Sequence, residues 1–172
     1  MKWLFVCAWL FLSCEGERPT DLGVKNGRFK ACPSSPNCVS SQATDKEHYI
    51  PPIPFKQPTY YTQLILMTEL KRNKKYKVIT NDSLYIHAEF KTTVGFVDDV
   101  EFFVSPDEHV IHVRSASRIG YSDFGANRKR IEELRETIMD RLNKTPKHVK
   151  QQEDTMPNPL FENAPIEPAI TK

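Results

Sequence analysis

The chain has 172 residues with 24 basic and 22 acidic side chains, and its formal charge of +2 leaves no basic excess for a nucleic-acid face. Apolar residues make up 39% and the mean hydropathy is −0.52, too low for the whole length to be core. One domain with appended segments is expected, and nucleic acid is not expected as a partner.

The N-terminus carries "MKWLFVCAWLFLSC", a single cation at Lys2 and then an apolar run from Trp3 to Leu12. At about 1.5 Å of rise per residue that run covers about half of a hydrocarbon core of roughly 30 Å. It is too short to span and has the layout of a secretory signal. Leu12-Ser13-Cys14 resembles the lipobox of bacterial lipoproteins, with Phe11 where the common pattern has Leu, a looseness closer to spirochaetal than to enterobacterial examples. The resemblance implies a signal peptide over residues 1–13 and lipid attachment at Cys14. Several acyl chains there would hold the protein stably on a membrane, whereas one chain binds only marginally. The alternative is an unprocessed hydrophobic anchor or a mis-assigned start. Residues 14–29 follow as a membrane tether, which places the chain on the exported side of a bacterial cell envelope.

"CPSSPNCVSS" comes next, with Cys32 and Cys38 as the cysteines left after a processed Cys7 and an acylated Cys14. In an oxidising compartment a disulfide is favoured over two free thiols or a metal or redox pair, and no C-x-x-C spacing is present. Loop-closure entropy puts the stabilisation at about 2.4 kcal/mol at most, less whatever Pro33 and Pro36 already stiffen.

Proline marks the boundaries: of thirteen, only Pro106 falls within residues 59–142. Lacking an N–H and restraining the residue before it, proline suits neither ladder nor long helix, so both flanks are expected to be irregular. Residues 143–172 read as a Pro-rich disordered tail. Between the flanks, "PTYYTQLILMTELKR" predicts a helix capped by Thr59, with Tyr60, Leu64, Met67 and Lys71 on one stripe and Tyr61, Ile65 and Thr68 beside it. Strands are predicted in "KYKVITND", "SLYIHAEF", "FVDDVEFFVS" and "HVIHVRSAS", with Leu84, Ile86, Ala88, Phe90, Val100, Phe102, Val104, Ile111 and Val113 facing inward. "SDFGANRKRIEELRETIMDRLN" predicts a second helix started by Ser122 or Asp123, with Phe124, Ile131, Leu134, Ile138 and Leu142 at helical spacing. The fold class is α+β, a small antiparallel meander of three or four strands with two helices on one face. Residues 30–142 form the domain.

Period two assigns Tyr85, His87, Glu89, Lys91, Asp99, Glu101, Phe103, His112, Arg114 and Arg118 to the opposite face. A solvated, charge-paired surface is the commonplace reading, a ligand or partner surface the sharper one. No local motif sets a nucleophile beside a base. Asp98 alternates away from Asp99, which argues against joint chelation, and neither metal nor cofactor is expected. Around the turn "RSASRIGYSDFGANRKR", arginines, serines and Asp123 suit a helix start that also has the character of an anion site.

Taken together, "CPSSPNCVSS", "GFVDDVEF" and "RSASRIGYSDFGANRKRI" resemble the domain of unknown function family 1499, over residues 30–142. The resemblance implies a small α+β domain in an envelope or organelle setting and no established activity. Matching positions that form a candidate ligand or ion-pair cluster are Asp98, Asp99, Glu101, Arg114, Arg118, Asp123, Asn127 and Arg128. Asp98, Asp99 or Glu101 is expected to pair with Arg114, Arg118 or Arg128 and to pin the Asn37–Ser41 loop against the turn. The expected function is a lipid-anchored envelope protein with a small binding or scaffolding domain, partnered by the membrane and by an envelope protein or a small anionic ligand. The alternative is an enzyme acting on a small charged or lipid substrate at the polar sheet face around His87, Glu89 and His112.

Overall fold

The computed structural model describes residues 15–82 and 84–144. The signal segment with Cys14 and nearly all of the proposed tail lie outside the described residues. The elements in order are β1 (Cys38–Ser40), β2 (Ile53–Pro54), α1 (Thr59–Arg72), β3 (Tyr76–Asp82), β4 (Tyr85–Lys91), β5 (Val97–Ser105), β6 (Val110–Ser117) and α2 (Ala126–Asn143). They make a six-stranded antiparallel sheet in the order β1-β6-β5-β4-β3, with β2 also paired to β6, and two helices. The α+β class and the β3–β6 meander agree with the sequence.

The two extra strands correct the expected three or four and the expected irregular flank. Both are short, and both pair with the free edge of β6: Cys38 opposes Ala116, Ser40 opposes Arg114, and Ile53 opposes Ile111. Proline at Pro54 is tolerated because β2 is an edge strand two residues long.

Helix α1 follows Pro58 without a side-chain cap, so Thr59 is its first residue and not its cap. Its buried face is Thr62, Leu66, Glu69 and Leu70, while Tyr60 and Leu64 of the expected stripe are exposed. The run Leu64-Ile65-Leu66-Met67 puts apolar residues around the whole helix, so periodicity alone fixes no face. Helix α2 buries Ile131, Leu134, Ile138 and Leu142 as expected. Phe124 does not join them: it lies before the helix at φ 53°, 98% exposed. Those helix residues close over Ile86, Ala88, Val100, Phe102, Val104, Ile111 and Val113 to form one core on one side of the sheet.

The opposite side is covered as well. The chain from Glu15 to Phe29, read as a tether, lies against it. Glu15 pairs with Lys91, Arg18 pairs with Glu89 at 2.6 Å, and the Gly23 amide donates to Glu101 Oε1 at 2.8 Å. At Gly16 a Cβ would meet Ile119 Cγ2 and Arg118 Cβ at 2.8 and 2.9 Å, so only glycine fits that approach.

Candidate functional site

Alternation along β4, β5 and β6 brings the expected polar residues onto one face, in register: His87 opposes Glu101, Glu101 opposes Arg114, and Glu89 opposes Asp99. The face is not solvated, because the N-terminal stretch lies across it. Glu101, Asp99, His87, Arg114 and His112 are all buried. Such burial demands partners, and the acids have them. Glu101 accepts from Arg114 Nη1 at 2.9 Å and from Tyr85 Oη at 2.9 Å. Asp99 accepts from Arg118 Nε and Nη2, each at 2.8 Å, and lies 2.8 Å from His87 Nε2. Arg118 Nη2 also reaches Glu89 Oε1.

These pairs set the protonation states. Burial pushes Asp99 toward its neutral form, but the hydrogen bonds from Arg118 and His87 outweigh it and leave the carboxyl below the usual aspartate range. Glu89 is lowered in the same way, burial being outweighed by Arg118 and Arg18. Hydrogen bonding to Asp99 raises Arg118 further, and burial beside Glu101 raises the Tyr85 phenol. The face is thus an ionised, largely paired network, in which Arg114 Nε is buried without a hydrogen-bond partner.

Of the expected pairings, Glu101–Arg114 and Asp99–Arg118 form, while Arg128 turns away to donate to the backbone carbonyls of Tyr49 and Glu47. Asp98 faces the helices, as its alternation requires, and pairs with Arg130. Asn127, not an arginine, pins the Asn37 loop: its Nδ2 donates to Asn37 O at 3.1 Å, Ser117 Oγ at 3.0 Å and Asp123 Oδ2 at 2.7 Å. Asp123 also accepts the Asn127 amide at 2.7 Å and so caps the start of α2. Asn37 Nδ2 donates to Gly120 O at 2.6 Å, and the Cys32–Cys38 disulfide, Cα–Cα 5.7 Å, closes the loop that leads into β1.

Sequence reasoning missed a hydroxyl–imidazole–carboxylate line. Ser41 Oγ lies 3.1 Å from His112 Nδ1, and His112 Nε2 lies 3.3 Å from Glu108 Oε2. The Ser41 oxygen already accepts the Val113 amide at 3.0 Å and is buried beside the sheet edge, a bond that locks the loop to β6.

The open cavity lies on the other side of the sheet. A cleft of about 680 Å³ sits among the end of α1, the starts of β3 and α2, and the β4–β5 turn. Its apolar wall is Tyr76 edge-on to Phe90 (centroids 4.9 Å apart) with Leu134. Arg72, Lys75, Lys129 and Arg130 outnumber the acids Glu69 and Glu133 on its lining. Arg130 is 7% exposed, lies 4.0 Å over the Phe90 ring, and donates to Ser115 Oγ at 3.0 Å and Asn127 Oδ1 at 2.7 Å. Its Nε, like Thr92 Oγ1 on the same lining, is buried without a hydrogen-bond partner. Glu69 is occupied by Arg72 and Arg141. The lining residues Ala126, Lys129 and Arg130 fall in the stretch with anion-site character, while the walls from α1, β3 and the β4–β5 turn carried no such sign. Arg130 also shares the helical stripe of Ile131 and Leu134, which signals a buried cation.

Among the described residues, no group of three or more His, Cys, Asp or Glu is placed to hold a metal ion, and no helix is long and apolar enough to cross a membrane. Residues 28–138 match the family model described as "Protein of unknown function (DUF1499)". No curated protein and no solved structure matches the chain.

Proposed function

The chain belongs to the DUF1499 family, and from that premise we propose that it is a lipid-anchored envelope protein whose domain binds a small anion carrying an apolar group. The cleft beside α2 supports this reading. Its volume suits a small molecule, and its lining sets four cationic side chains against two acids beside an aromatic wall. An anion held by Arg130, Lys75 and Lys129, with its apolar part against Tyr76 and Phe90, meets complementary groups on both counts.

Binding is favoured over catalysis because the cleft lining holds no histidine, cysteine or serine. His87, Glu89, Asp99 and Glu101 are engaged by one another, by arginines or by the N-terminal stretch, and His112 is engaged by Ser41 and Glu108. Anchoring at Cys14 rests on the lipobox-like sequence alone. Palmitate labelling of the expressed chain tests it: label lost in Cys14→Ser, together with release into the soluble fraction, is the expected result. For the cleft, a small anion should remain bound to protein purified from its own membranes and be absent from Lys75→Glu/Lys129→Glu. Equal ligand content in both proteins would overturn the assignment.

A further inference from the structure

Among the described residues, eight large apolar side chains are exposed, and five of them, Val94, Phe96, Ile119, Tyr121 and Phe124, fall in just two turns. One is the β4–β5 turn and the other joins β6 to α2. The two turns are neighbours at one end of the sheet, since the Arg118 amide donates to Val97 O at 3.3 Å. Single exposed apolar residues mean nothing, but a cluster of this kind marks a surface that is covered in use.

Phe124 makes the point most sharply. It holds φ 53°, a backbone region that disfavours a bulky residue, and it holds an aromatic ring 98% exposed to water. Packing within the domain cannot explain either feature, because the ring touches almost nothing.

The N-terminus enters at this same end. Glu15 pairs with Lys91, the last residue of β4, and Gly16 sits against Ile119 with no room for a side chain. The lipid-attachment residue, Cys14, is one residue away, and consecutive Cα atoms are only about 3.8 Å apart. No length of chain remains for a tether. Lys74, Lys75 and Lys129 are exposed around the same end, at the close of α1 and the start of α2.

We propose that this end of the domain docks directly on the bilayer surface, with Val94, Phe96, Tyr121 and Phe124 entering the interface and the surrounding lysines meeting anionic headgroups. Aromatic and aliphatic side chains ringed by lysine match the chemistry of that boundary. The proposal rests on the membrane anchoring argued above. Thr92, Thr93 and Ala126 belong both to this end and to the cleft, so docking turns the mouth of the cleft toward the headgroups.

Spin labels test it in the full-length acylated chain, reconstituted into phosphatidylcholine vesicles with and without phosphatidylglycerol. Labels go one at a time at Val94→Cys, Phe124→Cys and Asp107→Cys, the last in the exposed β5–β6 turn at the opposite end. With phosphatidylglycerol present, the labels at 94 and 124 should be shielded from an aqueous nickel complex and accessible to oxygen, while the label at 107 stays aqueous. Aqueous labels at all three sites in a chain that still pellets with vesicles would overturn docking and leave the anchor standing. A chain that does not pellet would remove the anchor and docking together. Shielding seen only in native membranes, and lost when their proteins are digested, would assign the patch to a protein partner and overturn the proposal. The double variant Val94→Ser/Phe124→Ser, altered only at exposed positions, should lose shielding of a label at Tyr121→Cys; retained shielding would also count against it.

Discussion

Replacing Arg118 by alanine probes the buried ion network most severely. Arg118 makes two bonds to Asp99 and one to Glu89. Its removal leaves Asp99, 1% exposed, with His87 as its remaining side-chain partner, while Glu89 keeps Arg18. Breaking a buried pair by deleting one partner costs about 3–5 kcal/mol, and the surviving His87 and Arg18 contacts place this site near the lower end. A loss of about 3 kcal/mol lowers Tm by roughly 10 °C in a domain of this size. Urea unfolding at pH 7 measures the loss directly. The sign of its pH dependence follows from Asp99 and Glu89, both held below their ordinary range in the folded state. Their contribution is complete above the unfolded values of about 3.9 and 4.3 and is lost as pH falls through the lower folded values. The gap between wild type and Arg118→Ala should therefore begin to narrow near about pH 4 and close only below the folded values. A loss under about 1 kcal/mol at pH 7, or a gap unchanged in acid, would refute the network as described.

Replacing both Cys32 and Cys38 by alanine should cost about 2 kcal/mol by denaturant titration, and alkylation of the native protein without reductant should leave both cysteines unmodified. Asn127→Leu strands the partners of a side chain that is 0% exposed; a loss of about 3 kcal/mol is expected, with amide exchange rising first in the Asn37–Ser41 segment. Phe124→Gly relieves a left-handed φ and should raise stability in solution by about 0.5–1 kcal/mol, measured by urea unfolding; a loss would show that Phe124 packs within the domain. Arg128→Ala removes only two bonds to exposed carbonyls and should cost about 1 kcal/mol, so a Tm loss matching that of Arg118→Ala would contradict the separation of Arg128 from the network.

Alternation made the meander and its two faces legible, because each of β4, β5 and β6 has one apolar and one polar set at period two. It placed His87, Asp99, Glu101, Arg114 and Asp98 on their proper sides, and the Glu101–Arg114 and Asp99–Arg118 pairs follow from that. What alternation cannot give is the cover. Residues 15–29 have no periodic signal, and their seat on the sheet depends on Gly16 and Gly23 bringing the backbone close to Arg118 and Glu101. β1 and β2 escaped notice because they are two or three residues long beside prolines and gain their ladder bonds from β6, not from local propensity. The cleft was illegible for another reason. Its residues come from three separated segments, and only the start of α2, where Arg130 shares the stripe of Ile131 and Leu134, carried a local sign.

Amide chemical shifts recorded during a titration of the full-length protein with phenyl phosphate test anion binding in the cleft most directly. Saturable one-to-one binding should move Thr92, Thr93, Ala126, Lys129 and Arg130, be tighter than for inorganic phosphate, and disappear in Lys75→Glu/Lys129→Glu. Shifts confined to His87, Glu89 and His112, or no saturable shift anywhere, would contradict it.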